Sequence, residues 1–189
     1  AWLTAYRMLF TQCDLQPGQS VLIQGAGGGV ATAAIMLARA AGLRVFTTSR
    51  DADKRQRALE LGAHEALESG QHLPQKVDAV METVGAATWS HSVRSLRPGG
   101  TIVISGATSG ESPSSAELKR IFFHQLKIHG SMMGTRDELQ ALAEFMNVTG
   151  LRPLIDDVMP MDQAESGLQR VIDGDVFGKP FLETAIDEA

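Results

Sequence analysis

The sequence predicts an α/β fold with a doubly wound, six-stranded parallel sheet and helices on both faces. Apolar runs of strand length alternate about six times with segments of helical periodicity along the 189 residues. Runs such as Val21, Leu22 and Ile23 are apolar without a break, which is typical of parallel strands buried on both faces. A glycine-rich turn separates the first run from the first helix, an arrangement found in sheets of this kind.

Composition limits the classes of protein that remain. A chain of 189 residues can bury one good core, and its net charge of −5 argues against a nucleic-acid surface. The sequence has no apolar run long enough to cross a membrane and no signal segment. Cys13 is the single cysteine, so no internal disulfide can form, and we expect a cytoplasmic protein without nucleic-acid or membrane partners.

The glycine turn is the strongest functional motif. Four glycines fall within residues 25–29, after the first strand and before a helix that runs from about Val30 to Ala41, with Gly42 as its C-terminal cap. The first N–H groups of a helix lack intrahelical partners and its N-terminus is partly positive, and glycines remove the Cβ atoms that would hold a pyrophosphate away. A second strand, residues 43–48, completes the context of a dinucleotide site. The alternative is a turn that only lets helix and strand pack closely.

Spacing alone leaves the register of the turn open. Gly25-x-Gly27 and Gly27-x-Gly29 both lack a third glycine. The stretch Val-Leu-Ile-Gln-Gly-Ala-Gly-Gly-Gly-Val-Ala resembles the Ala-x-Gly-Gly-Val-Gly fingerprint of the medium-chain dehydrogenase/reductase superfamily, the quinone-reductase and zinc-type alcohol dehydrogenase group. Thr-Ala-Tyr-Arg at 4–7 and Leu-Arg-Pro-Gly-Gly-Thr at 96–101 extend the resemblance over nearly the whole chain. The match departs from the family at Ala31, where glycine is usual.

The end of the second strand predicts the choice of cofactor. An NAD site needs a carboxylate about 20 residues after the turn, where this chain has Ser49 and Arg50. The resemblance likewise puts Ser49 where NAD-dependent relatives have aspartate. Arg50, with Lys54 and Arg55 nearby, suits a 2′-phosphate, so we predict NADP(H). For Lys54 and Arg55 an exposed helix face is an open alternative, and Asp51 is best explained as a helix N-cap.

Further elements follow at regular intervals. Ser114-x-x-Glu117 and Thr135-x-x-Glu138 are capping-box patterns. The remaining predicted strands are 64–67, 77–82, 101–106, 126–133 and 177–182, and the remaining helices are 52–61, 86–96, 115–125, 136–147 and one from about 162 to 173. Ligands lie off the carboxyl ends of strands in such sheets, so the residues that follow the fourth and fifth strands are cofactor candidates.

The predicted cofactor site combines these arguments with the resemblance. The resemblance implies that Thr4 lies beside the nicotinamide, and a helix N-cap is an equal alternative. It also makes Lys179 a candidate neighbour of the cofactor, for which the alternative is a surface role. The predicted cofactor-binding residues are Thr4, Ala26, Gly27, Gly28, Gly29, Val30, Ser49, Arg50, Lys54, Thr83, Val84, Gly85, Gly106, Ala107, Thr108, Met132, Met133 and Gly134.

The resemblance also implies a longer protein. Members of the superfamily have an N-terminal, barrel-like catalytic domain, so we expect residues 1–19 to link to it, 20–150 to bind the dinucleotide and 151–189 to return to it. We expect the catalytic residues in that domain and leave zinc dependence open. No metal site is predicted here, because His124 and His129 are on different helical faces and the other histidines are isolated. Dimeric relatives join their sheets at the sixth strand, and an apolar edge at 126–133 predicts a homodimer.

Together these patterns predict the NADP(H)-binding domain of a medium-chain oxidoreductase. The substrate expected is a small molecule, namely a carbonyl, quinone or activated alkene. Enoyl reduction is favoured because the second strand and the Asp-Lys-Arg that follows resemble enoyl reductase domains. We expect this stretch alone to be inactive. One alternative is a nucleotide-binding or interaction module without turnover. The other is a methyltransferase, which would need an acid where Ser49 and Arg50 stand.

Overall fold

The computed structural model describes residues 1–183 and contains one six-stranded sheet and one two-stranded sheet. In the large sheet the strand order is β3-β2-β1-β4-β5-β6, and every neighbouring pair is parallel. Its strands are β1 (Ser20–Ile23), β2 (Arg44–Thr48), β3 (Glu65–Leu67), β4 (Val77–Glu82), β5 (Leu96–Ile104) and β6 (Lys127–Gly130). The predicted doubly wound parallel sheet is confirmed.

Helices cover both faces of this sheet. Neighbouring residues of β1 point to opposite sides, so Val21 and Ile23 enter one buried cluster and Leu22 enters the other. The first cluster includes residues of the helices Gly29–Ala40 and Arg136–Thr149, and the second includes a residue of the helix Trp89–Ser95. The helices are α1 (Trp2–Tyr6), α2 (Gly29–Ala40), α3 (Ala52–Glu60), α4 (Trp89–Ser95), α5 (Leu118–Phe123), α6 (Arg136–Thr149) and α7 (Ala164–Asp173).

The N-terminal helix is fastened to α6. Beyond α1 it widens into a π-helix over Arg7–Gln12. The half-buried Glu138 accepts hydrogen bonds from Arg7 Nη1 at 2.7 Å and Thr11 Oγ1 at 2.6 Å. It also forms the predicted capping box with Thr135, whose N–H donates to it at 2.7 Å. Burial raises the pKa of the Cys13 thiol, just past the π-helix, to about 12.

Two local predictions are wrong. The capping box expected at Ser114 does not form, because Glu117 adopts a left-handed conformation (φ 58°) and α5 begins only at Leu118. The hydroxyl that accepts the Glu117 N–H is that of Ser115, at 3.2 Å. The sixth strand is shorter than residues 126–133, so Met132 lies beyond its end.

The C-terminal unit contains a strand that the sequence did not predict. β7 (Ile155–Pro160) and β8 (Lys179–Glu183) pair in parallel and flank a short 3₁₀ helix (Met161–Gln163) and α7. Two adjacent aspartates and a final proline hide β7, since both residue types are depleted in strands. Residues 184–189 of the predicted segment 151–189 lie outside the described residues.

The helices are short compared with the thickness of a bilayer. The longest one described is α6, with 14 residues, whereas about 20 apolar residues are needed for a crossing. No helix within residues 1–183 meets that requirement.

Candidate functional site

The carboxyl ends of β1, β2, β4 and β5 open into one cleft of about 1200 Å³. This is the edge at which open parallel sheets bind ligands. Eleven of the residues predicted for the cofactor line it: Ala26, Gly28, Gly29, Val30, Ser49, Arg50, Lys54, Thr83, Val84, Gly106 and Thr108. Segments up to about 80 residues apart in sequence are thus brought together by the strand order.

Seven predicted residues do not line the cleft: Thr4, Gly27, Gly85, Ala107, Met132, Met133 and Gly134. Gly27 and Gly85 shape the turns beneath it. Thr4 is buried in α1, and Met132 and Met133 are exposed. Gly134 packs on Leu3, since a Cβ at this glycine would lie 2.8 Å from Leu3 Cγ. The residues predicted around the nicotinamide therefore do not converge on the cleft.

The glycine turn brings backbone to the cleft. Gly25 (φ 76°) and Gly27 (φ 110°) adopt conformations that side chains disfavour, and a Cβ on Gly25 would lie 2.8 Å from Val84 Cγ2. Gly28 is different, because its φ is −69° and a Cβ there would meet only the Gly25 carbonyl oxygen, at 3.8 Å. Gly28 is the N-cap of α2, whose first N–H groups have no partners inside the helix.

The residues after β2 differ in their availability. Arg55 Nη1 donates to the carbonyl oxygens of Ser49 (2.8 Å) and Arg50 (3.1 Å), and Lys54 Nζ donates to the carbonyl of Gly174. Arg50 itself is exposed on the cleft, and its guanidinium makes no hydrogen bond or ion pair within residues 1–183. Of the three basic residues, Arg50 is the one for which no side-chain donor is already used within residues 1–183.

Asp51 combines two roles. Its carboxylate caps α3 by accepting the N–H groups of Asp53 (2.8 Å) and Lys54 (3.1 Å), as the sequence predicted. The Lys54 N–H bond is the main cause that holds the pKa of Asp51 below its usual value. Asp51 also lines the cleft, so a negative charge lies next to Arg50.

The C-terminal unit approaches the glycine turn, which spacing gave no reason to expect. Gly178 N–H donates to the Gly27 carbonyl at 2.9 Å, and the side chain of Phe177 lies against the same glycine. The stem of Lys179 covers Gly29, where a Cβ would lie 2.8 Å from Lys179 Cε. Cleft-lining residues that the sequence interpretation missed are Ser69, Gly70, Ala87, Thr88, Ser105, Ser109, Asp173 and Gly174.

The turn after β4 is closely held. Gly85 has a φ of 95°, and a Cβ on it would lie 2.6 Å from the Gly110 carbonyl oxygen, so glycine is required there. Ser109 N–H donates to the Val84 carbonyl at 2.7 Å. Backbone contacts with residues 109 and 110 therefore help to hold this part of the cleft wall in place.

Metal ligands are not clustered near this cleft. Within the described part of the chain, no three His, Cys, Asp or Glu side chains are close enough together to hold an ion.

Comparison with known proteins identifies the family. The model of the family described as zinc-binding dehydrogenase matches residues 29–147. The chain belongs to this family. It is thus a cofactor-binding domain of the medium-chain dehydrogenase/reductase superfamily, as its motifs predicted.

Three relatives show the extent of the similarity. A zinc-type alcohol dehydrogenase-like protein of Leptosphaeria maculans is 29% identical over 96% of this chain and 55% of its own length. A crotonyl-CoA carboxylase/reductase of Cereibacter sphaeroides is 29% identical over 83% of the chain and 44% of its own length. The crystal structure of an NAD-dependent alcohol dehydrogenase superposes with a TM-score of 0.88 at 31% identity, covering 96% of this chain and 56% of that one. The chain spans about half the length of the curated relatives that it matches.

Proposed function

We propose that this domain binds NADP(H) and serves a longer oxidoreductase. The observation that carries the proposal is that a glycine-rich helix N-terminus and the unpaired guanidinium of Arg50 face the same cleft. The first site suits a diphosphate and the second suits an additional phosphate on the ribose. Membership in the dehydrogenase family supports the dinucleotide in particular.

The diphosphate would lie on the N-terminus of α2. Gly28 leaves room for it, and the unpartnered N–H groups of the helix would donate to its oxygens. Lys179 lies against Gly29 and adds a positive charge beside this position. Ser49 and Arg50 would then receive the ribose 2′-phosphate, with Arg50 as the paired donor.

The chemistry follows from the cofactor. Bound NADP(H) supplies or accepts a hydride, and the residues of this chain bind and orient it. We infer a small-molecule substrate, namely a carbonyl, quinone or activated alkene. The crotonyl-CoA carboxylase/reductase relative favours the alkene, that is, enoyl reduction. The nicotinamide end lacks a closed wall, so the catalytic groups would come from an N-terminal domain, and this domain alone would be inactive.

Two apolar surfaces fit the proposed partners. Leu168 and Ile172 on α7 are exposed at 63% and 76%, and this face would pack against the catalytic domain.

β6 is an edge strand, and the exposed Met132 and Met133 follow it, so we propose a homodimer through this edge. Sedimentation at micromolar concentration should show a dimer; a monomer would contradict this part of the proposal.

The test is a parallel titration of the 189-residue chain with NADPH, NADH and S-adenosylmethionine. We expect NADPH to bind at least about tenfold more tightly than NADH, because charge-assisted contacts to a 2′-phosphate contribute about 1.5–3 kcal/mol. S-Adenosylmethionine should not bind. Equal affinity for NADH and NADPH would refute the role of Ser49 and Arg50, and binding of neither would refute the function itself. NADPH consumption with quinones, enals and aldehydes should stay at background.

A further inference from the structure

A buried carboxyl group lies beneath the cleft without touching it. Glu82, the last residue of β4, is 1% exposed and forms no ion pair within residues 1–183. Its Oε1 accepts the backbone N–H groups of Val84 (2.8 Å) and Gly85 (2.9 Å). The hydroxyl of Thr88 donates to both carboxyl oxygens at 2.9 Å, and that of Ser92 donates to Oε2 at 2.5 Å.

The hydrogen bonds continue from Glu82 across two further strands. The buried side chain of Gln24, directly after β1, donates from Nε2 to Ser92 Oγ at 2.9 Å. Its Oε1 accepts from the hydroxyl of Thr48, the last residue of β2, at 2.5 Å. The buried chain Thr48–Gln24–Ser92–Glu82 therefore connects the carboxyl ends of β2, β1 and β4.

The donors in this chain all point the same way, toward Glu82. Thr48 donates to Gln24, Gln24 donates to Ser92, and Ser92 donates to the carboxyl group. Gln24 Nε2 also lies 2.9 Å from His91 Nδ1, and His91 Nε2 lies 2.8 Å from the Gln71 carbonyl oxygen, which suits a neutral ring protonated on Nε2. Because a carboxylate accepts only, it is the group that can end such a chain.

The carboxyl group shapes two sides of the cleft. By holding the N–H groups of Val84 and Gly85 it forms the turn whose Val84 side chain packs on Gly25. At its other end the chain fixes Thr48, whose carbonyl accepts the Ala26 N–H at 2.8 Å and which precedes Ser49. The glycine turn, the end of β2 and the turn after β4 thus share one buried anchor.

We propose that Glu82 is a positioning residue for the dinucleotide, acting through the turn of residues 83–85 and through the chain to Thr48. This inference rests on the proposed NADP(H)-binding function. Burying an acidic side chain with no basic partner is costly, and apolar residues could fill the same space at lower cost. The hydrogen-bond geometry that it imposes on the cleft explains its presence.

Glu82→Gln is the informative substitution because it keeps the shape and reverses one donor. The new amide must direct N–H either at Ser92, which already receives the Gln24 N–H, or at the backbone N–H groups of Val84 and Gly85. Asp78→Asn is the matched control. Asp78 lies near the amino end of the same strand, where it accepts hydrogen bonds from the Ser20 N–H and hydroxyl, both at 2.7 Å.

The measurement is NADPH affinity together with thermal unfolding of both variants and the wild type. We expect Glu82→Gln to weaken NADPH binding at least about tenfold at a temperature where the variant is folded, a factor that corresponds to about 1.4 kcal/mol. Asp78→Asn should lower the melting temperature and leave the affinity within about twofold. Ser92→Ala, which keeps both backbone bonds of Glu82 and breaks the link to Gln24, should have an intermediate effect.

Unchanged affinity in Glu82→Gln and Ser92→Ala would overturn the inference, as would an equal loss of affinity in Asp78→Asn. If Glu82→Gln does not fold, Ser92→Ala decides. Failure of the wild type to bind NADPH would instead contradict the proposed function. The positioning of the turn would then be decided by amide hydrogen exchange of Val84 and Gly85, which should quicken in Glu82→Gln and not in Asp78→Asn.

Discussion

The two ends of the predicted cofactor site are built in different ways. At the glycine-turn end, consecutive segments of chain (strand, turn, helix, strand) place Gly28, Ser49 and Arg50 on one cleft. At the other end Thr4 is buried, while Met132 is 83% exposed and Met133 70% exposed, and none of them lines the cleft. The residues predicted for the first end come together within this domain, whereas those predicted for the second do not converge within residues 1–183.

The largest expected effect comes from filling the space at the glycine-turn end of the predicted cofactor site. Gly28→Ala should weaken NADPH binding by more than about tenfold, because the methyl group would hold the diphosphate away from the α2 N–H groups, and hydrogen bonds to charged groups contribute about 1.5–3 kcal/mol. Folding should be unaffected, since φ at Gly28 is −69° and a Cβ meets only an oxygen at 3.8 Å. Calorimetric titration measures the affinity and a thermal scan the folding.

Gly130→Ala is the control for this variant, because a Cβ there meets nothing within 4 Å. Its affinity for NADPH should match that of the wild type. Tight NADPH binding by Gly28→Ala would mean that the diphosphate does not lie on this turn, and the comparison between the two ends would fail.

The second effect concerns selectivity at the same end. Ser49→Asp combined with Arg50→Glu should remove or reverse a preference for NADPH of about tenfold, because the paired donors are lost and carboxylates replace them. Competitive titration of the two cofactors measures the ratio. Arg44→Gln, at the amino end of β2 where Arg44 pairs with Glu65 at 3.3 Å, should leave the ratio unchanged. A retained preference would assign the 2′-phosphate to other residues.

A third effect tests Glu138, whose contacts support the other end of the predicted site, where Thr4 lies. Burial raises the pKa of Glu138, but hydrogen bonds from Thr11 and the Thr135 N–H and the charge of Arg7 outweigh it and lower the pKa to about 2. Glu138→Gln should therefore reduce the free energy of unfolding by about 1.5–3 kcal/mol at pH 7, the range for hydrogen bonds to charged groups.

The pH dependence of Glu138 has a defined sign. As the pH falls, Glu138 takes up its proton in the unfolded chain before it does so in the folded one. The contribution of Glu138 to the free energy of unfolding is therefore complete above about pH 4.5 and is lost as the pH falls toward about 2. Denaturant unfolding between pH 6 and pH 2.5 should show a flatter profile for Glu138→Gln than for the wild type. Parallel profiles would show that Arg7, Thr11 and Thr135 do not hold this carboxylate in solution.

The smallest expected effect is the pH dependence that His91 gives to stability, beneath the glycine-turn end of the predicted site. Burial is the main cause that lowers its pKa; the Gln71 carbonyl and Glu82 oppose this, whereas His72 and Lys76 add to it. The unfolded state therefore binds the proton more readily, and the free energy of unfolding should fall as the pH drops below about 6.5. His91→Asn should flatten this part of the stability profile. Greater stability of the wild type at pH 5.5 than at pH 7 would refute the assignment.

Most of the fold could be predicted from the sequence because local patterns specify it. The uninterrupted apolar strands and the Thr135 capping box are contained in short windows and formed as expected. β7 was missed because Asp156 serves a tertiary purpose: it accepts from Arg170 Nη2 at 3.0 Å and from the Phe177 N–H at 3.1 Å. That explains a charged residue in a strand, but only after the strand and α7 have been placed.

The lining of the cleft could be predicted where it follows directly from the strands. Turns that follow strands could be named, because the carboxyl ends of parallel strands meet at one edge. Asp173 and Gly174 could not, since their place on the cleft depends on how the C-terminal unit folds back onto Gly27. Glu82 could be recognised as the end of a strand, whereas its role depends on Gln24 and Ser92, which come from two other elements.

Cys13 has a practical consequence for measuring these effects. A thiol with a pKa of about 12 carries almost no thiolate near neutral pH, and thiolate is the form that reacts with maleimides and disulfides. A fluorophore attached through a newly introduced surface cysteine would therefore label one position, without removal of the native residue. The same protonated thiol should make storage without added reductant practicable, and intermolecular cross-links slow to form.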